Sequence, residues 1–140
     1  MDRALVEKHL AHVVDSVELL RRRGRPQDLR QDPVQFGFVV HTLQTAVQAA
    51  LDAAAIIVAE RRLGEPATNR DLFEKLAADG WIDPAQAGVW KRIVAFRNVV
   101  VHRYLQVDAA IVRAIVEQNL EDLLGFVRSV ERRLRAGEGA

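Results

Sequence analysis

The sequence predicts an all-α antiparallel bundle of about five helices with a long second helix, and three observations carry that prediction. Between the Gly and Pro residues the apolar side chains recur at steps of three and four, the period of a helix facing a core. No segment shows the two-residue alternation of a half-buried strand. Two Asp-Pro pairs, Asp32-Pro33 and Asp83-Pro84, put a side-chain acceptor directly before a residue whose fixed φ suits a first helical turn.

The first helix is predicted over residues 3–22, with Leu10, Val13, Val14, Val17 and Leu20 on one side and Gly24 and Pro26 beyond its end. The second runs from Val34 to Leu63, before Gly64. Its middle, Ala46 to Ala59, is so rich in Ala and aliphatic residues that it should be buried on several sides as a central pillar. Thr68 or Asn69 caps a short third helix through Leu72, Phe73 and Leu76, closed by Gly80. The fourth starts at Asp83-Pro84 and shows one apolar line of Val89, Ile93, Phe96 and Val100 and another of Trp90, Val94 and Val101. Asp108 caps a fifth, whose seam of Val112, Val116, Leu120, Leu123, Val127, Val130 and Leu134 runs on towards Gly137, and residues 136–140 read as a frayed tail. Short connections imply antiparallel neighbours sharing one core. Trp81 and Trp90 read as anchors of the fourth helix, because large aromatic rings contribute the most buried area per residue.

With 140 residues, of which 49% are hydrophobic, the chain can bury one substantial core, so residues 1–140 are expected to form a single domain. A net charge of +1 with 28% charged residues excludes a disordered tail or a general coating for nucleic acid, so any nucleic-acid contact must be local. The absence of cysteine excludes disulfides and thiolate metal sites and suits a reducing compartment; a cytoplasmic location is the expectation. Asp2, Glu7 and Lys8 interrupt the N-terminal apolar residues, and no unbroken apolar stretch reaches the ~20 residues that cross a bilayer, so neither signal peptide nor membrane span is expected. His9 and His12 are three apart without a third ligand nearby and read as a solvated or half-buried pair. No metal or cofactor is expected.

The chemistry concentrates in Arg97-Asn98-Val99-Val100-Val101-His102-Arg103-Tyr104. Arg97 lies about 40° from both Ile93 and Val101 around a helix, inside the apolar face. It either pairs with a carboxylate such as Asp52, snorkels to solvent, or belongs to a site. Asn98 and His102 share a face if the helix continues, although the β-branched Val99-Val100-Val101 leaves its end open. A five-residue step then sets Arg97 and His102 about 140° apart, so they act together only through the length of Arg or through a second subunit. His41, Gln44, Gln48 and Asp52 form a polar thread along the second helix, which is either a solvent-facing stripe or a set of partners for Arg97 and Asn98. As residue types, His can take or give a proton near neutral pH and Arg can fork onto phosphate oxygens.

The string R-N-V-V-V-H-R-Y resembles the Arg-x4-His-x-Tyr signature of HEPN-domain proteins, in particular the HepT-like ribonuclease toxins of HepT/MntA-type toxin–antitoxin systems. Ile93-Val94-Ala95-Phe96, Leu105 and the helix order resemble that family too, across nearly the whole chain. The resemblance implies a metal-independent endoribonuclease acting as a homodimer, with the motif of both subunits lining a cleft on the two-fold axis. It implies that His102 serves as general base or acid, that Arg97 binds the scissile phosphate and that Asn98 orients the imidazole or a phosphate oxygen, leaving 2′,3′-cyclic phosphate and 5′-hydroxyl ends. Tyr104 resembles the acceptor of AMP groups transferred by a nucleotidyltransferase antitoxin of the MntA type; its structural alternative is a buried ring with the hydroxyl at the surface. Arg103, Lys91 and Arg92 are candidate RNA contacts, whereas the runs Arg21-Arg22-Arg23-Gly24-Arg25 and Arg132-Arg133-Leu134-Arg135 lie at helix ends, where cations complement the dipole. Two alternatives differ in class. One is a non-catalytic nucleotide-binding module partnering a transferase; the other is a helical dimerisation module in which Arg97 and His102 are ordinary interface residues.

Overall fold

Both Asp-Pro pairs start helices. Asp32 Oδ1 accepts from the backbone N–H groups of Val34 and Gln35 at 3.0 and 3.1 Å. Asp83 and Gln86 cap each other, side chain to backbone, at 2.7 and 2.8 Å. A computed structural model describes residues 1–138 and arranges them as six helices: α1 (Arg3–Arg23), α2 (Pro33–Glu60), α3 (Asn69–Ala78), α4 (Pro84–His102), α5 (Ala109–Gln118) and α6 (Leu120–Glu138). Single 3₁₀ turns stand at Pro26–Asp28 and Tyr104–Gln106, and no strand occurs among the described residues. The all-helical class and the long second helix agree with the sequence.

The expected fifth helix is two. Asn119 leaves helical geometry (φ −117°, ψ 2°), and its side chain donates to Asp122 Oδ2 at 2.8 Å. An Asn side chain that bonds locally competes with the helical ladder, which gives a break that neither Gly nor Pro announces. The apolar seam hid it, because Val116, Leu120 and Leu123 stay buried on both sides of the bend. α2 stops at Glu60, short of the expected Leu63, in a turn that takes Arg62 to φ 54° and Gly64 to φ 106°. Residues 136–138, expected to fray, continue α6; Gly139 and Ala140 lie outside the described residues.

α2 is the pillar, with Val39, Leu43, Ala46, Ala50, Ala53, Ala54 and Ile57 all buried. Its most apolar 18-residue window has a mean hydropathy of 1.4, enough by length and composition for a membrane span, but 61% of that window is buried inside the bundle. Its apolar character is thus matched by neighbouring helices. α1 packs along α2, α3 on α4 and α6 on α1.

Three rings fix the first half of α4. Trp90 stacks on Phe73 of α3 with centroids 4.8 Å apart and planes at 8°, and Phe126 of α6 meets Phe73 and Trp90 at 5.8 and 5.1 Å. Trp81 is buried too, donating from Nε1 to Asp79 at 3.0 Å beneath the Arg133 guanidinium. Hydrogen bonds from Arg61 and from Trp81 hold the Asp79 carboxyl below the usual carboxylate range. Both tryptophans are therefore structural anchors. Trp90→Ala should cost about 3–5 kcal/mol, the range for removing a large buried ring; urea unfolding checks it, and a loss below about 1 kcal/mol would show that α4 is held elsewhere.

Candidate active site

The last turn of α4 emerges from the core. Ile93, Val94, Phe96 and Val100 are buried, and the helix persists through the three valines to His102, so tertiary burial of Val100 outweighs the weak helix preference of the run. It ends at Arg103 (φ −144°, ψ 52°), whose N–H donates to the Val99 carbonyl at 2.7 Å. Asn98 and His102 therefore share a face. Val101, expected on the buried line with Trp90 and Val94, is instead 46% exposed. It lies on the same side as Trp90 but about 16 Å further along the axis, where neighbouring helices no longer cover that side.

Arg97 is half-buried and turned towards α2. Its Nη2 donates to Gln48 Oε1 and its Nη1 to Asn98 Oδ1 at 3.3 Å. Gln48 Nε2 donates in turn to Asp52 Oδ1 at 2.9 Å. Asp52 is thus one link behind the amide, and in place of a direct Arg97–Asp52 pair, one of the alternatives the sequence left open, there is a relay Asp52–Gln48–Arg97–Asn98. Of the polar thread on α2, Gln48 and Asp52 enter this relay, Gln44 is half-buried and His41 is exposed. Arg97 Nε is buried and unpartnered. Guanidinium carries five N–H donors, so donors remain for a ligand after Gln48 and Asn98 are served.

His102, Arg103, Tyr104 and Leu105 are exposed, Leu105 at 97%. Tyr104 begins a 3₁₀ turn, and its ring meets Phe36 of α2 edge-on at 6.3 Å. This support was missed in the sequence; its only trace is an aromatic residue one turn into a helix from a distant segment. At 47% exposure, Tyr104 is not the buried-ring tyrosine of the structural alternative. Helical geometry brings Arg97 to Asn98 and Asn98 onto the face of His102, while Arg97 and His102 themselves point about 140° apart around α4.

The remaining cations divide. Lys91 pairs with Glu74 of α3, whereas Arg92 and Arg103 are exposed. Arg21 pairs with Glu121 at 2.9 Å and Arg25 with Asp28 and Asp32 at 2.9 and 3.0 Å, in keeping with structural use of that run. Hydrogen bonds from Arg21 and Arg128 hold the Glu121 carboxyl below its ordinary range. His9 is half-buried and His12 exposed, and no group of three or more His, Cys, Asp or Glu side chains is placed to hold a metal among the described residues.

Known proteins share this arrangement of helices and part of the sequence. Residues 10–130 match the family model described as Ribonuclease HepT-like. The chain is 32% identical over 104 residues to the mRNA nuclease HepT of Shewanella oneidensis, covering 74% of this chain and 78% of that protein. A solved structure of the tri-AMPylated Shewanella oneidensis HEPN toxin in complex with MNT antitoxin superposes with a TM-score of 0.84 at 26% identity, over 94% of this chain and 99% of that one. YutE, a cytosolic Bacillus subtilis protein of unknown function, has the same fold, with a TM-score of 0.90 at 16% identity over 100% of this chain and 95% of that one. An all-helical bundle, an Arg-x4-His turn with its histidine exposed and a match over most of the length agree: the chain belongs to the HepT-like ribonuclease family.

Proposed function

We propose that this chain, folded as one domain over residues 1–140, is the endoribonuclease toxin of a toxin–antitoxin pair and cuts RNA without a metal. The observation that carries the reading is the last turn of α4, where Asn98 and an exposed His102 share a face beside the Arg97 guanidinium, in a chain of a ribonuclease family. His102 takes the proton from a ribose 2′-hydroxyl; the resulting oxygen attacks the adjacent phosphorus and the 5′-oxygen departs with a proton from an acid, which the second His102 of a homodimer can supply. Arg97 stabilises the charge that gathers on the non-bridging phosphate oxygens. Asn98, bonded to Arg97, orients the imidazole or a phosphate oxygen. The products are 2′,3′-cyclic phosphate and 5′-hydroxyl ends.

Two features support a homodimer. Arg97 and His102 of one chain diverge around α4, and Val99, Val101 and Leu105 leave an apolar surface next to His102. Two copies meeting there would close a cleft and let Arg97 of one face His102 of the other. Arg103 flanks this cleft as the nearest RNA contact, with Arg92 about 15 Å back along α4 and Lys91 beside it once its pairing with Glu74 is exchanged for phosphate.

Control falls to Tyr104. A nucleotidyltransferase antitoxin transfers AMP from ATP to the tyrosine hydroxyl, releasing pyrophosphate, and the new phosphodiester brings negative charge to the site that would hold RNA phosphate. The solved HEPN toxin is AMPylated and bound to its MNT antitoxin, which supports this reading.

Purified protein should cut mixed RNA in the presence of a chelator and leave DNA intact, because DNA lacks the attacking hydroxyl. Gel analysis of both substrates is the test. RNA bound but never cut would favour the nucleotide-binding module instead, and cutting of DNA at a similar rate would rule out the 2′-hydroxyl mechanism.

A further inference from the structure

We infer that Gln48, fixed by Asp52, is the positioning residue of the Arg97 guanidinium and sets where RNA phosphate is gripped. The inference rests on the ribonuclease reading for its substrate, though not for its geometry. Gln48 lies on α2, the most buried helix of the bundle, and Arg97 on α4, so their hydrogen bond ties the reactive turn to the pillar.

The amide end of Gln48 could in principle face either way, since its oxygen and nitrogen occupy similar space. Its two partners remove that freedom. An ionised Asp52 carboxylate only accepts, so it takes the NH₂ group; a guanidinium only donates, so it takes Oε1. The two requirements agree, and Gln48 has one orientation. Arg97 Nε is buried without a partner, and besides Gln48 the guanidinium meets Asn98 Oδ1, on its own helix, at the longer distance of 3.3 Å.

An amide here does what a carboxylate would not. Glu at position 48 could still accept from Arg97, but it would lose the donor to Asp52 and neutralise the guanidinium, and a phosphate arriving at an ion pair meets far less positive potential than one arriving at a free guanidinium. Gln restrains the group and leaves its charge for the ligand. Asp52 supplies the anchor from one turn further along α2.

Three measurements on the full chain test this. In the wild type, ¹⁵N NMR should show hindered rotation of the Arg97 guanidinium, and Gln48→Leu should release it. With saturating RNA, Gln48→Leu should lower kcat by about 10- to 100-fold, the loss expected when a catalytic cation is slightly misplaced. In an Arg97→Ala background the same substitution should lower it no further. Gln48→Glu keeps the acceptor for Arg97, so rotation should stay hindered while affinity for uncleavable 2′-deoxy-substituted RNA falls about tenfold; this variant decides the matter should Gln48→Leu fail to fold. Free rotation in the wild type, or losses from Gln48→Leu and Arg97→Ala that multiply independently, would overturn the positioning role. A wild type that cuts no RNA overturns the ribonuclease reading alone, because the rotation measurement still reports on Gln48 and Arg97.

Discussion

His102→Ala is expected to reduce RNA cleavage by about 10²- to 10⁴-fold, the usual contribution of a positioned acid–base group, while the unfolding midpoint stays where it was. The second half of that expectation comes from exposure: His102 occupies the final position of α4, facing solvent, and a surface substitution of this kind shifts stability by no more than about 0.5 kcal/mol. Chemistry and folding therefore separate cleanly at this residue. They do not at Arg97, whose replacement would also leave the half-buried Gln48 Oε1 without its donor. Cleavage by His102→Ala at the wild-type rate, in protein of unchanged stability, would remove His102 from the mechanism.

Tyr104→Phe should give the other large effect, of opposite sign in the cell. The variant keeps the ring and its edge contact with Phe36 but loses the hydroxyl that would accept AMP. Incubated with a cognate nucleotidyltransferase and ATP, the wild type should gain the mass of one or more AMP units and stop cutting RNA, whereas Tyr104→Phe should keep its mass and its activity. Electrostatics explains the size of the change, since an anionic phosphodiester two residues after His102 repels the phosphate of the substrate and occupies the cations meant for it. Intact-mass spectrometry with a parallel cleavage assay decides it. Modification of Tyr104→Phe to the wild-type extent would place the acceptor elsewhere.

Helix positions were legible where side chains act locally. Asp32-Pro33 and Asp83-Pro84 start α2 and α4 as read, since capping involves only residues two or three apart. The boundary at Asn119 was not legible, because a break that keeps the apolar seam intact leaves no mark in its periodicity. Val101 was misplaced for a related reason: angle around a helix follows from spacing, but whether a neighbour reaches that height depends on where the other helices stop. The same holds for Arg97, whose partner could have been Asp52 by charge alone and is Gln48 by register between α2 and α4.

By itself, then, the sequence determined the helical class, the starts of five of the six helices, the apolar faces along most of their length and the clustering of Arg97, Asn98, His102 and Tyr104 around the end of α4, because each of these depends on residues within a turn or two of one another. Tertiary structure alone decided that Val101 and His102 in the last turn of α4 stand clear of the core, that Arg97 reaches an amide on α2 and that Tyr104 rests against Phe36. Those contacts join segments 49 and 68 residues apart, between Gln48 and Arg97 and between Phe36 and Tyr104. Their geometry is set by how whole helices pack, which no local pattern of side chains encodes.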